Sequence, residues 1–100
     1  MTDVDERIEL GALALDARAY RATFAGRPLR LSPSQFEVLA VLVRCADRVV
    51  SRTELATAGG LDHGRSVDVV LTMIRRELGQ RSIRNVRNRG WIIEPRAFGT

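Results

Sequence analysis

The sequence predicts an α+β domain in which short antiparallel strands come first, three helices follow, and a hairpin closes the chain. Three observations carry this. Apolar residues alternate in short runs up to Leu31 and then recur at helical spacing from Phe36 to Leu78. Two serine-led capping boxes, at Ser32 and Ser51, mark helix starts. After Gly79 the chain returns to extended patterning on either side of Asn88-Arg89-Gly90, residues that permit a tight turn.

The elements follow in order. Residues 1 to 7 are polar and acidic and read as a frayed leader or the end of a linker. Alternation at Ile8/Leu10, Leu13/Leu15, Tyr20/Ala22/Phe24 and Leu29/Leu31 predicts three or four short antiparallel strands, with Gly26-Arg27-Pro28 turning between the last two. "SPSQFEVLAVLVRCA" opens a helix with Ser32 as N-cap, Pro33 in the first helical position and Gln35 completing the box. Its Phe36, Leu39, Ala40 and Val43 share one face. A short extended Val49-Val50 precedes a second, brief helix, capped by Ser51 and Glu54 and stopped by Gly59-Gly60. The third helix runs from about His63 to Leu78 and ends at Gly79. Ile83 to Arg87 and Trp91 to Glu94 form the hairpin, with Val86, Trp91 and Ile93 as its anchors to the core. The domain proper is expected over 8–96, with 97–100 a tail.

Composition narrows the class. One hundred residues make one small domain. At 45% hydrophobic and 28% charged, the chain has the balance of a soluble globular domain and not that of a disordered one. No apolar run approaches the roughly 18 residues of a membrane span, and the acidic start is unlike a secretory signal. The lone Cys45 excludes an internal disulfide and a thiolate metal site, and is expected to be a small structural residue at a helix end. A reducing cytoplasm fits.

The charge is uneven. All sixteen basic residues are Arg. Residues 1–60 hold eight Arg against eight acids, whereas residues 61–100 hold eight against four, so the whole formal +4 lies in the last two-fifths. Arginine's planar fork suits phosphates and guanine edges, and its concentration favours a polyanion partner over a merely solvated face.

On the third helix, Val67, Val70, Leu71, Ile74 and Leu78 fall on one stripe that faces a core. The opposite face carries Arg65, Val69, Thr72, Met73 and Arg76, with Asp68 and Arg75 at its border. Isolated exposed apolar residues are common. Val69 and Met73 set among arginines are better suited to base edges and thymine methyls in a major groove. In "RSIRNVRNRGWII", Arg81, Arg84, Arg87 and Arg89 crowd within nine positions, and no acid occurs from Leu78 to Ile93. Charge on an exposed hairpin also guards an edge against aggregation. A basic hairpin directly after a helix with a basic outer face favours DNA.

Four pieces in order, "LSPSQFE", "RVVSR", "RSVDV" and "IRNVRNRGW", resemble the winged-helix effector domain of OmpR/PhoB-type bacterial response regulators. The resemblance spans roughly Ile8 to Pro95. It implies a winged helix-turn-helix: an N-terminal four-stranded antiparallel sheet, three helices and a C-terminal β-hairpin wing. The third helix would enter the major groove of double-stranded DNA and the wing would lie along the adjacent minor groove. By the same resemblance, Arg65 and Ser66 match phosphate-contacting positions and Val69 an apolar position near thymine methyls. Arg75 and Arg76 match basic positions on the helix, and Arg87 matches the wing arginine. Asn85 stands where the family often has Thr, and Arg89 adds a further cation at the hairpin tip. Val70, Thr72 and Met73 stand where well-known members often have His or Arg, so a target sequence does not carry over.

The resemblance also implies partners. Some members contact RNA polymerase through the loop before the third helix; here that loop, "AGGLDHG", is short and lacks the family's usual Trp. A phosphoacceptor (sensor or receiver) domain is not among these residues, which is expected of a free-standing regulator or of one piece of a larger protein. The domain is expected to be a monomer in isolation, paired on DNA, and away from membranes. The alternative is a winged helix used for protein or RNA contacts, which competition between duplex sequences would separate from DNA reading. An enzyme is not expected. His63, the only histidine, reads as a loop residue, no nucleophile motif or metal-ligand spacing accompanies it, and no cofactor is implied.

Overall fold

The computed structural model describes residues 7–61 and 64–99, with the side chain of Arg65 excepted. Residues 1 to 6 of the expected leader, His63, and the last residue of the expected tail lie outside the described residues. The architecture is α+β, as expected. Strands β1 (Arg7–Leu10), β2 (Leu13–Asp16), β3 (Arg21–Phe24) and β4 (Arg27–Pro28) form an antiparallel sheet in sequence order. Helices α1 (Pro33–Arg44), α2 (Arg52–Gly59) and α3 (Gly64–Leu78) follow, and β5 (Ile83–Val86) and β6 (Gly90–Ile93) make the closing hairpin. None of the described helices is long and apolar enough to cross a membrane.

The first sheet differs from expectation at two turns. The β3–β4 turn is Ala25-Gly26, both with positive φ, as a type I′ hairpin turn requires. Arg27 and Pro28 are therefore paired residues, opposite Phe24 and Thr23. Pro28 has no N–H to donate, which limits it to this short edge strand, and Leu29 takes up the ladder by donating to the Ala22 carbonyl at 2.9 Å. Tyr20 does not continue the alternation. It sits in the β2–β3 turn at φ +51°, half exposed, with its ring 5.0 Å from that of Phe36 and its hydroxyl donating to the Glu37 carboxylate.

Both capping boxes form. Ser32 Oγ accepts from the Gln35 amide while Gln35 Oε1 accepts from the Ser32 amide, and Ser51 and Glu54 repeat the exchange. Arg48 also donates to the Glu54 carboxylate at 2.9 Å. That hydrogen bond, with the Ser51 backbone amide, holds the Glu54 carboxyl at about 2, well below the usual range. α2 ends at Gly60 in the left-handed region, φ +66°.

One core joins all the layers. Leu13 and Leu15 of the sheet, Phe36, Leu39 and Leu42 of α1, Leu55 of α2, the inner stripe of α3, and Ile83, Trp91 and Ile93 of the hairpin are buried together. The expected tail is part of it. Pro95–Phe98 forms a 3-10 turn that buries Phe98 against Phe24, ring centroids 5.4 Å apart, and the Phe98 carbonyl accepts from Ala12 at 2.7 Å. Phe98, within the expected tail, is thus packed into the core through Phe24.

Candidate nucleic-acid interface

The inner stripe of α3 fixes how the helix is rotated. Val67, Val70, Leu71, Ile74 and Leu78 are all buried, which turns Val69, Thr72, Met73 and Arg76 outward. Among the described residues the exposed large hydrophobics are Tyr20, Val69 and Met73, so two of the three lie on this one helix face. Ser66 is half-buried at its N-terminal end. Thr72 Oγ1 donates to the Asp68 carbonyl one turn back, and Arg76 leans onto the Met73 sulfur at 3.8 Å.

The hairpin is held by its base. Ile83 and Ile93 are paired and buried, as is Trp91. Trp91 also bridges to Val50, the extended residue just before α2, through hydrogen bonds of 2.7 and 2.9 Å. Gly90 is required at this junction. Its φ is +144°, and a Cβ there would stand 2.0 Å from the Val50 carbonyl oxygen. The turn is Arg87-Asn88-Arg89, one position earlier than the sequence pattern predicts, with Asn88 supplying the positive φ (+64°). Arg87 therefore belongs to the tip and not to a strand, which leaves Arg87 and Arg89 projecting from the loop, both exposed.

The sequence points to ten candidate contact residues. The fold brings Ser66, Val69, Thr72, Met73 and Arg76 onto one helix face and Asn85, Arg87 and Arg89 onto the wing. The Arg65 side chain is outside the described residues. Two candidates are already engaged within the protein. Arg75 is half-buried and donates through Nε to the Ile83 carbonyl at 3.0 Å, tying the end of α3 to β5. Asn85 donates to the Gly90 carbonyl at 3.1 Å, bracing the tip. Arg84, one of the four crowded arginines, is paired with Glu94 across the hairpin.

Sequence reasoning missed Arg52. From the first turn of α2 it reaches Asp68 of α3 at 2.9 Å, and its guanidinium lies 4.8 Å from the centre of the Trp91 ring. It also lines an open cleft with Asn85, Arg87, Arg89 and Trp91. One cation thus joins α2, α3 and the wing. "VVSR" locates Arg52 in the sequence, but its partners are 16 and 39 positions away, and no periodicity connects them.

A sheet, a three-helix core with one exposed helix face, and a basic wing beside that face define a winged-helix domain of the DNA-binding kind. Residues 26–93 match the family model described as "Transcriptional regulatory protein, C terminal", and the chain belongs to that family, the OmpR/PhoB-type effector domains of transcription regulators. The transcriptional regulatory protein TrcR of Mycobacterium tuberculosis is 34% identical over 98 residues, covering 91% of this chain and 38% of that protein. The DNA-binding domain of CpxR from Escherichia coli superposes with a TM-score of 0.76 at 26% identity, covering 89% of this chain and 96% of that one. The Klebsiella pneumoniae RstA DNA-binding domain, solved in complex with the RstA box, gives 0.76 at 27% identity, covering 91% and 99%. The chain spans 36% to 42% of the length of the curated relatives it matches. The family is one of transcription-factor domains, not of enzymes, in line with the sequence reading.

Proposed function

We propose that this domain regulates transcription by binding double-stranded DNA selectively, with α3 in the major groove and the wing against the adjacent minor groove. The observation that carries this geometry is Arg52, whose contacts to Asp68 and Trp91 hold the wing beside the outer face of α3. The likeness to an RstA domain solved with its DNA box supports it. Arg65, Ser66, Arg87 and Arg89 take phosphates and fix register, while Val69, Thr72, Met73 and Arg76 read bases. Arg75 and Asn85 act through the protein, holding the hairpin at its base and tip. If one to three further arginines of the basic half join Arg65, Arg87 and Arg89 on phosphates, roughly four to six in all, log K falls against log salt with a slope of about −4 to −5. An anisotropy titration checks this, and absence of duplex binding at about 50 mM salt rules the reading out.

The domain works in a bacterial cytoplasm as the effector part of a regulator controlled by a sensor or receiver domain. One winged helix buries roughly 600–1,000 Å² on DNA, too little for tight selectivity by itself. A monomer in solution that pairs on two half-sites one helical turn apart meets that need. Sedimentation of the free domain, and with one-site and two-site duplexes, tests this: a stable dimer without DNA, or equal affinity for one and two sites, refutes it.

A further inference from the structure

Several polar groups on and beside the α3 outer face have partners within the protein. Asp68 gives its carboxylate to Arg52. Thr72 donates its hydroxyl to the Asp68 carbonyl, one turn back, so its hydroxyl proton is engaged, its oxygen can only accept, and its methyl is a free substituent beside it. Arg76 rests on the Met73 sulfur. Beside these groups lies a contiguous apolar surface of Val69, the Thr72 methyl and Met73, with Val69 61% and Met73 38% exposed. These residues stand at i, i+3 and i+4, so they meet the same stretch of any groove that α3 enters.

A surface of this kind has little to offer the oxygens and nitrogens of base edges. The one apolar group presented in the major groove is the C5-methyl of thymine, and apolar side chains recognise it by contact. We propose that Thr72 and Met73 extend the apolar surface of Val69 into a reader of thymine methyl groups, and that the target half-site carries at least two thymines beneath α3. This rests on the DNA-binding reading given above and names what that face recognises.

Deoxyuridine tests this directly, because it pairs as thymine does and lacks only the methyl. The duplex preferred by the 100-residue chain is first selected from a randomised pool. Thymines in that duplex are then replaced by deoxyuridine one at a time, both under the α3 footprint and outside it. Burial of one methyl predicts a loss of about fourfold for each thymine under α3. Two variants separate the Thr72 methyl from its hydroxyl. Thr72→Ser removes the methyl and is expected to abolish the deoxyuridine penalty at one position; Thr72→Val keeps a methyl, drops the hydroxyl and is expected to preserve it. Met73→Ala is expected to abolish the penalty at a neighbouring position. The proposal is overturned if deoxyuridine under α3 costs no more than elsewhere in the duplex, if the selected site has no thymine there, or if Thr72→Val loses the penalty while Thr72→Ser retains it. In each case DNA binding itself still stands. A chain that binds no duplex at low salt overturns both readings together.

Discussion

Val69 and Val70 are neighbours in sequence with the same side chain, yet one is 61% exposed and the other 8%. The difference follows from the 100° step between them, which sends Val70 to the stripe of Val67, Leu71, Ile74 and Leu78 and Val69 to the opposite face. Apolar residues on the inner face hold the helix to the core. On the outer face the same chemistry contributes nothing to folding and is available to a ligand. The fold determines which role a residue plays, and variants on the two faces should therefore fail in different ways.

The largest effect is expected on the inner face. Leu71→Ala should cost about 2–5 kcal/mol of stability, measured by urea denaturation, because it leaves a cavity between α3 and the rest of the core. Val69→Ala should stay within about 0.5 kcal/mol of the parent while altering base preference in a selection experiment. If both variants lose stability equally, the two faces are not separate in function.

Gly90→Ala comes next. The left-sided backbone alone costs about 1–3 kcal/mol for a residue with a Cβ, and the clash with the Val50 carbonyl would break the Val50–Trp91 bridge. Amide exchange should show β5–β6 opening before the first sheet does, and protection that stays uniform would refute a wing anchored at that point.

Arg87→Ala and Arg89→Ala should leave stability unaltered and weaken specific and competitor duplexes alike, each reducing the salt slope by about 1. Arg52→Ala sharpens the comparison. Its ion pair is exposed and contributes at most about 1 kcal/mol to folding, but it connects the two surfaces. Loss of wing protection from minor-groove probing, with the α3 footprint retained, is the outcome that marks it as a positioning residue. Arg52→Lys keeps the charge and is expected to rescue in part, since the planar stacking over Trp91 is lost.

The smallest effect lies away from both faces, at the cap of α2. Glu54 has its carboxyl lowered in the fold to about 2 from an ordinary 4.5. A depressed acid stabilises the fold above its unfolded value, and that contribution disappears as pH falls through the folded value. Stability should therefore decline from about pH 4.5 to about pH 2 through this group, less steeply in Glu54→Gln and less steeply at high salt, because the site is open to solvent. Denaturation midpoints across that window check it.

Much of this was legible in the chain because it depends on neighbours close in sequence. The capping boxes at Ser32 and Ser51, the inner stripe of α3 and the candidate residues of its outer face require only residues three or four positions apart. The tip of the wing lies one position earlier than the pattern predicts because Asn88 takes the turn conformation at φ +64° while Gly90, at φ +144°, is already paired with Val86 in the hairpin. The reason Gly90 is a glycine lies 40 residues earlier, at the Val50 carbonyl, and local pattern does not register it. Phe98 reads as part of a tail for the same reason, since its partners, the Phe24 ring and the Ala12 amide, are far away in sequence.

By itself the sequence determined the order of elements, the face that α3 buries and the concentration of positive charge in its last forty residues. Helical and strand periodicities, capping chemistry and charge are all written locally. Tertiary structure alone decided which of the polar groups on that basic surface are already satisfied. Arg75 on Ile83, Arg84 on Glu94 and Arg52 between Asp68 and Trp91 are contacts made across space by long side chains. A string of residues does not specify the distance between a guanidinium and its partner until the core has packed and brought the two together.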